Sequence, residues 1–291
     1  MARARKSPAS ATEPRKKKPA APGRKKGAKK GAAAPRWWLP PLVSLGIFAA
    51  SFGVWMLIVP AARPKLMSFA AVADEAARKG VYLGLDVSDY PGTTVMRKLR
   101  QEAPYRWVGY YLKSPAHLDP SWMGTWKSAL RDMGWSVAIL YVGQQTSSLT
   151  EAQGRADADE AAREAEGEGF PPGAVIYLDV EANDEVGPQL GRYVRAFVAQ
   201  LGEASGYRPG LYCHMKNASA LAAVVEAEAK KRKVPFWVAG GDDFYFTSSP
   251  KSSSAPWATA WQGLLDVRDP ARIVAAPVDV STSITEKPSG F

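Results

Sequence analysis

Cysteine and histidine are almost missing from this chain, and their scarcity removes whole classes of chemistry. Cys213 stands alone, so no intramolecular disulfide can form and a folded domain must rely on its core. His117 and His214 are the only histidines, too few for a histidine-rich metal centre or a histidine-based nucleophile triad. No P-loop, zinc-ligand cluster or dinucleotide glycine fingerprint occurs, so neither a cofactor nor a metal is expected.

Acidic residues are also nearly absent from the start of the chain. Residues 1–36 hold thirteen Lys and Arg against the single acid Glu13, with Ala, Pro and Gly making up most of the rest. Such a segment cannot bury enough apolar surface to offset its conformational entropy, and is predicted to be a disordered basic tail. The chain carries +10 overall and the tail +12, so everything beyond it sums to about −2. The high isoelectric point therefore belongs to the tail, and a nucleic-acid partner for the main domain is not expected.

Residues 37–62 lack charge altogether, and 42–59 form an apolar run that would span roughly 27 Å as a helix. Trp37 and Trp38 at one edge and Trp55 near the other match the two interfaces of a bilayer, and Arg63 and Lys65 close the segment. A transmembrane signal anchor is predicted, with the tail in the cytoplasm and the remainder outside the membrane. The alternative is a secreted form, cleaved near Val59-Pro60-Ala61. Residues 63–79, rich in Ala, read as a short helical linker.

From residue 80 to 291 apolar runs recur with strand character, at 81–87, 105–112, 136–142, 174–180, 208–213, 235–239, 257–261 and 277–280. Helical patterns at 93–102, 121–133, 150–168, 189–205 and 218–231 separate the first six. Alternation of this kind predicts parallel βαβ units, and eight strands in so short a chain favour an α/β fold: an irregular TIM-type (β/α) barrel with about five helices and bare last strands.

In such barrels chemistry sits at the carboxyl ends of the strands. Asp86 falls at the end of the first, Asp179 and Glu181 at the fourth, Asp242 after the sixth, Gln262 after the seventh and Asp279 at the eighth. The 174–181 stretch, A-V-I-Y-L-D-V-E, places two carboxylates at i and i+2, on one face of a strand. Ionised carboxylates are costly in an apolar interior, so acids at the end of a buried strand call for a cleft, a partner or a reaction. Strands one and eight adjoin in a closed barrel, which sets Asp86 beside Asp279, across the mouth from Glu181.

The ordered set G-L-D-V-S (84–88), Y-L-D-V-E (177–181), G-L-Y (210–212), F-W-V-A (236–239), W-Q (261–262) and V-D-V-S (278–281) resembles the family-25 glycoside hydrolases, the muramidase-type lysozymes. It is most similar to the glycoside-hydrolase-like barrel domain of exported bacterial proteins. The resemblance covers about 80–285. It departs after D-V-S, where Asp89-Tyr90-Pro91-Gly92 replaces an aromatic, Gln and Gly; Gln144-Gln145 and Asp242-Asp243 also match nothing in the pattern.

The resemblance implies cleavage of the β-1,4 bond between N-acetylmuramic acid and N-acetylglucosamine in peptidoglycan. It implies Glu181 as general acid, Asp179 as stabiliser of the charge forming on the sugar, and Asp86 and Asp279 completing the acidic cleft. Trp261, Gln262, Tyr212 and Asp242 are the expected substrate-binding residues, and Trp107, Trp237 and Trp257 are further aromatics that could stack on sugar faces. A barrel that binds cell-wall glycan without cutting it is the alternative.

Overall fold

The computed structural model describes residues 68–112, 122–181 and 185–291. The basic tail and the expected membrane span lie outside them, and among the described residues no helix is long and apolar enough to cross a membrane. The described part of the expected linker is helical: α1 (Phe69–Arg78) starts at Ser68, whose hydroxyl accepts the Ala71 amide at 3.2 Å. Eight strands then close into one barrel in sequence order. They are β1 (Tyr82–Asp86), β2 (Trp107–Tyr111), β3 (Ser136–Val142), β4 (Val175–Val180), β5 (Arg208–His214), β6 (Phe236–Ala239), β7 (Ala260–Arg268) and β8 (Pro277–Ser283).

The helices between them are α2 (Thr93–Glu102), α3 (Glu151–Glu168), α4 (Pro188–Ala204), α5 (Met215–Val224) and the short α6 (Glu226–Ala229). Two departures from expectation are local. The helix expected at 121–133 is a π-helical turn, Trp126–Leu130, and the one expected at 218–231 divides at Val225 into α5 and α6.

The third departure concerns direction. Strands β1 to β7 pair in parallel, but β8 runs antiparallel to both β7 and β1. A parallel return needs a crossover of a dozen or more residues, whereas an antiparallel partner can follow a short turn. Only 269–276 separate β7 from β8, so the chain doubles back. Asp279 therefore reaches the carboxyl end of the parallel strands from near the start of β8, and β8 runs from there to Ser283, which pairs with Tyr82 and Ala260 at the opposite end. The sequence placed Asp279 beside Asp86 on the assumption of a parallel strand; the register Asp86 opposite Asp279 holds for the reverse reason.

Alternate residues of each strand fill the lumen. Trp107, Ala138, Leu140, Val175, Tyr177, Trp237 and Ala260 form its packed interior, with Tyr82, Tyr111 and Tyr212 against it. Two glycines make room for the large rings. A β-carbon on Gly84 would stand 2.1 Å from the Trp107 ring, and one on Gly210 would stand 2.7 Å from the Tyr177 ring. The lower end is sealed by Ser289, which is spliced between β3 and β4. Its hydroxyl accepts from Ile139 N–H (2.9 Å) and donates to Val175 C=O (2.8 Å), while its own carbonyl accepts from Val175 N–H (2.9 Å). A second, larger core lies between the outer barrel face and the helices.

Candidate active site

With the lower end sealed and the lumen filled, the upper mouth is where strand-end side chains can meet a ligand. On β1 the inward series Tyr82, Gly84, Asp86 ends in a carboxylate, and on β4 the series Val175, Tyr177, Asp179 does the same. Asp86 and Asp179 are each only 4% exposed. Glu181 follows one residue beyond β4 and is exposed.

Asp86 is tied down on one side. Its Oδ2 accepts from the Tyr111 hydroxyl at 3.0 Å and from Gln262 Nε2 at 3.3 Å. The same Gln262 nitrogen donates to Asp279 Oδ2 at 2.8 Å, and its Oε1 accepts the Tyr212 hydroxyl. One amide thus links two acids and a phenol. Asp279 is satisfied on its other oxygen as well, where the Asp266 amide donates at 2.7 Å. That amide is turned toward it by an irregularity in β7, where Asp266 takes φ +50° and the pairing with β8 shifts register.

Two oxygens stand apart from this network. Oδ1 of Asp86 and Oδ1 of Asp179 are buried and have no hydrogen-bond partner among the described residues. Leaving a buried acceptor unsatisfied costs about 1–3 kcal/mol, and such an atom in a native structure calls for an explanation. Gly109 helps to set the first: a β-carbon there would lie 2.3 Å from Asp86 Oδ1.

Burial and crowding of like charge act together on these acids. Burial, then the charge on Asp279, pushes the Asp86 carboxyl up to about 7, against the Tyr111 hydrogen bond that favours its ionised form. Asp179 is held well above the ordinary carboxylate range by burial, then by Glu181 and Asp86. Asp279 is raised too, mainly by burial, with the Asp266 and Glu181 carboxylates adding to it. The Tyr111 and Tyr212 phenols, buried among these charges, are pushed upward and stay protonated donors.

Of the residues expected from sequence, Asp86, Asp179, Asp279, Gln262 and Tyr212 therefore come together, with Glu181 at the rim. Trp261 does not join them. Its parity is opposite to that of Gln262, and its indole N–H donates to Gly240 C=O at 2.6 Å while the ring packs edge-on against Phe244 in the outer core. Trp107 and Trp237 are fully buried beneath the site, where Trp237 Nε1 donates to Ser281 Oγ at 3.1 Å. Trp257 is 45% exposed but precedes β7, at the opposite end of the barrel, and Asp242 is exposed on the loop after β6. Cys213, which burial pushes up to about 12, is an inert thiol in the wall.

Two participants escaped the sequence reading. Tyr111 could have been found from the inward parity it shares with Trp107 and Gly109. Gln145 sits where β3 leaves the barrel. Its Nε2 donates to Asp179 C=O (3.1 Å) and Gly143 C=O (3.2 Å), and its Oε1 accepts the Glu181 amide (3.0 Å). Among the described residues no group of His, Cys, Asp and Glu is arranged to hold a metal ion.

The Rv2525c-like, glycoside hydrolase-like domain matches residues 97–278 of this chain. Among solved structures, an uncharacterized protein of B. stearothermophilus is similar with a TM-score of 0.53 and 22% identity, over 69% of this chain and 94% of that one. The bacterial lysozyme of Streptomyces coelicolor gives 0.51 and 18%, over 72% and 97%. The modular autolysin LytC of Streptococcus pneumoniae gives 0.52 at 16% identity in its complex with a synthetic peptidoglycan ligand; 69% of this chain matches 46% of LytC. No curated protein matches. At these identities the likeness is one of fold.

Proposed function

Because the chain belongs to the Rv2525c-like, glycoside hydrolase-like domain family, we propose that it is a glycoside hydrolase acting on peptidoglycan or a related cell-wall glycan. In this reading the residues before the barrel tether it to the membrane and the barrel works outside the cytoplasm. The observation that carries the proposal is the pair of buried oxygens on Asp86 and Asp179 at the mouth that have no hydrogen-bond partner among the described residues, beside the exposed Glu181. A sugar brings hydroxyl and N-acetyl N–H donors, the groups those acceptors lack. LytC, part of which shares this fold, forms a complex with a synthetic peptidoglycan ligand, which supports the same substrate class.

Glycoside cleavage needs one carboxyl protonated and another ionised. The cluster supplies both states. Asp179, held well above the ordinary carboxylate range by burial and by the Glu181 and Asp86 charges, is the acid of the cluster that favours its protonated form. Glu181 is one methylene longer and stands at the rim, so it can reach the glycosidic oxygen. With the proton on Glu181, Asp179 is the ionised partner facing the sugar. The proton passes to the leaving oxygen, the bond from that oxygen to the anomeric carbon breaks, and Asp179 opposes the positive charge left on the ring. Water then completes the hydrolysis. In the substrate-assisted variant the sugar's own N-acetyl oxygen attacks first, and Asp179 orients that group.

A second reading, a barrel that binds glycan without cutting it, is favoured by the exposure of Glu181, since general acids usually work where water is excluded. Release of reducing ends from purified peptidoglycan separates the two, with sedimentation on the same material as the binding control. Glu181→Gln keeps the shape and an acceptor but cannot deliver a proton, so hydrolysis should fall by about 10²- to 10⁴-fold with binding retained. Equal release by both proteins contradicts the acid assignment; binding with no release by either supports the non-catalytic barrel.

A further inference from the structure

Gln145 matched nothing in the sequence pattern, yet its side chain spends all its polar atoms on the strand that carries the two central acids and on the turn it leaves from. Nε2 bridges the carbonyls of Gly143 and Asp179, and Oε1 takes the amide of Glu181. The last paired residues of β3 and β4 are Val142 and Asp179. Beyond them the backbone ladder stops, and the Gln145 carboxamide supplies its next rung. The peptide units on both sides of Val180 are thereby held from one side chain, and the direction in which Glu181 leaves the barrel is set.

Gln145 is itself fixed from behind. The Gln144 amide donates to the Tyr193 hydroxyl at 3.0 Å, and Tyr193 donates to the fully buried Asp157. Asp157 belongs to α3 and also accepts from Gln153 Nε2 at 2.6 Å, while Tyr193 belongs to α4. Gly143 permits the approach, because a β-carbon there would lie 2.3 Å from the Tyr193 oxygen. The turn after β3 is thus nailed to the α3 and α4 helices, and only then does Gln145 reach across to β4.

We infer that Gln145 is a positioning residue, a carboxamide clamp that transmits the rigidity of the α3 and α4 layer to Asp179 and Glu181. Its kinetic consequence rests on the glycosidase reading above; its structural consequence does not. Gln145→Met in the full chain keeps the length and apolar bulk and removes all three hydrogen bonds. Misplacing a reacting group by a fraction of an ångström to one ångström costs up to about a hundredfold in rate. The variant should therefore lose about tenfold to a hundredfold in kcat on peptidoglycan with KM within about twofold, and amide hydrogen exchange at Glu181 should quicken about tenfold or more.

Gln145→Glu provides the signature that a merely structural role would not show. The carboxylate it introduces, when ionised, accepts the Glu181 amide but cannot donate to Asp179 C=O; once protonated it does both. Activity of Gln145→Glu relative to Gln145→Met should rise as pH falls from about 7 to about 5. Wild-type kcat and unchanged Glu181 exchange in Gln145→Met overturn the clamp. If the wild type hydrolyses nothing, the glycosidase reading fails separately and exchange at Glu181 decides alone: faster exchange upholds the clamp, unchanged exchange refutes it.

Discussion

Asp86 and Asp269 are both buried aspartates, 4% and 1% exposed, and the protein treats them in opposite ways. Asp269 lies on the link between β7 and β8 and is saturated with donors. It receives the Tyr105 hydroxyl (2.9 Å) and the amides of Ala271 (2.9 Å), Ile273 (2.7 Å) and Val274 (2.9 Å). Glu168 and Asp157 follow suit: both oxygens of Glu168 accept the Gly124 amide, one of them also the Tyr110 hydroxyl, and Asp157 accepts from Tyr193 and Gln153. Glu228, buried on α6, keeps Oε2 without a hydrogen bond but holds it 3.8 Å from the Arg232 guanidinium. At the mouth, Asp86 and Asp179 each keep one oxygen without a partner among the described residues. The fold has tyrosines and amides enough to satisfy buried acids where they serve packing. Among the described residues the two unsatisfied oxygens at the strand ends have carboxylates and no cation for charged neighbours, which marks those two as held for something that arrives from outside.

The contrast can be broken at its structural end first. Asp269→Asn turns an acceptor that takes four donors into a group with a donor of its own facing those N–H and O–H bonds. Losing buried hydrogen bonds and leaving donors unpaired costs about 1–3 kcal/mol each, so a loss of roughly 3 kcal/mol or more is expected, about 10 °C in Tm for a domain of this size. Thermal unfolding checks it, and a Tm within about 2 °C of wild type would show that full bonding at Asp269 is not what holds the β7–β8 link.

A smaller effect, of the opposite sign, is expected at the mouth. In the folded protein the Asp86 carboxyl keeps its proton up to about 7, while in the unfolded chain it ionises near the ordinary value of 3.8. Between those values the folded state binds the extra proton, so stability should fall as pH rises from about 4 to about 7 and stay low above that. Asp86→Asn removes the titration. Its Tm should match or exceed wild type at pH 8, and the difference should shrink or reverse by pH 4. An Asp86→Asn protein that is several degrees less stable than wild type at pH 8 would place Asp86 with Asp269 among the structural acceptors.

Much of this arrangement is legible in the sequence. The eight strands and the meeting of Asp86, Asp179 and Asp279 follow from alternating apolar runs that end in acids, because burial of both faces of a barrel strand leaves its end as the place for a charge. The membrane span expected at 37–62 lies outside the described residues. What escaped was whatever depends on direction and parity. The antiparallel course of β8 comes from the shortness of the 269–276 link, and Trp261 was drawn into the site because W-Q reads as a unit although neighbouring strand residues face opposite ways. Gln145 was illegible for another reason: it acts through backbone atoms of a different strand, and such a partnership leaves no trace in either local sequence.

The central claim, that the mouth acids are reserved for substrate and the wall acids for the fold, is tested most directly by setting Asp179→Asn beside Asp269→Asn. Both are measured for reducing-end release from purified peptidoglycan well below their unfolding temperatures, and for Tm. The account expects Asp179→Asn to lose about a hundredfold or more in release with Tm unchanged or raised, and Asp269→Asn to keep its rate while losing stability. Equal rates in wild type and Asp179→Asn, or a fall in Tm for Asp179→Asn as large as that for Asp269→Asn, would contradict it.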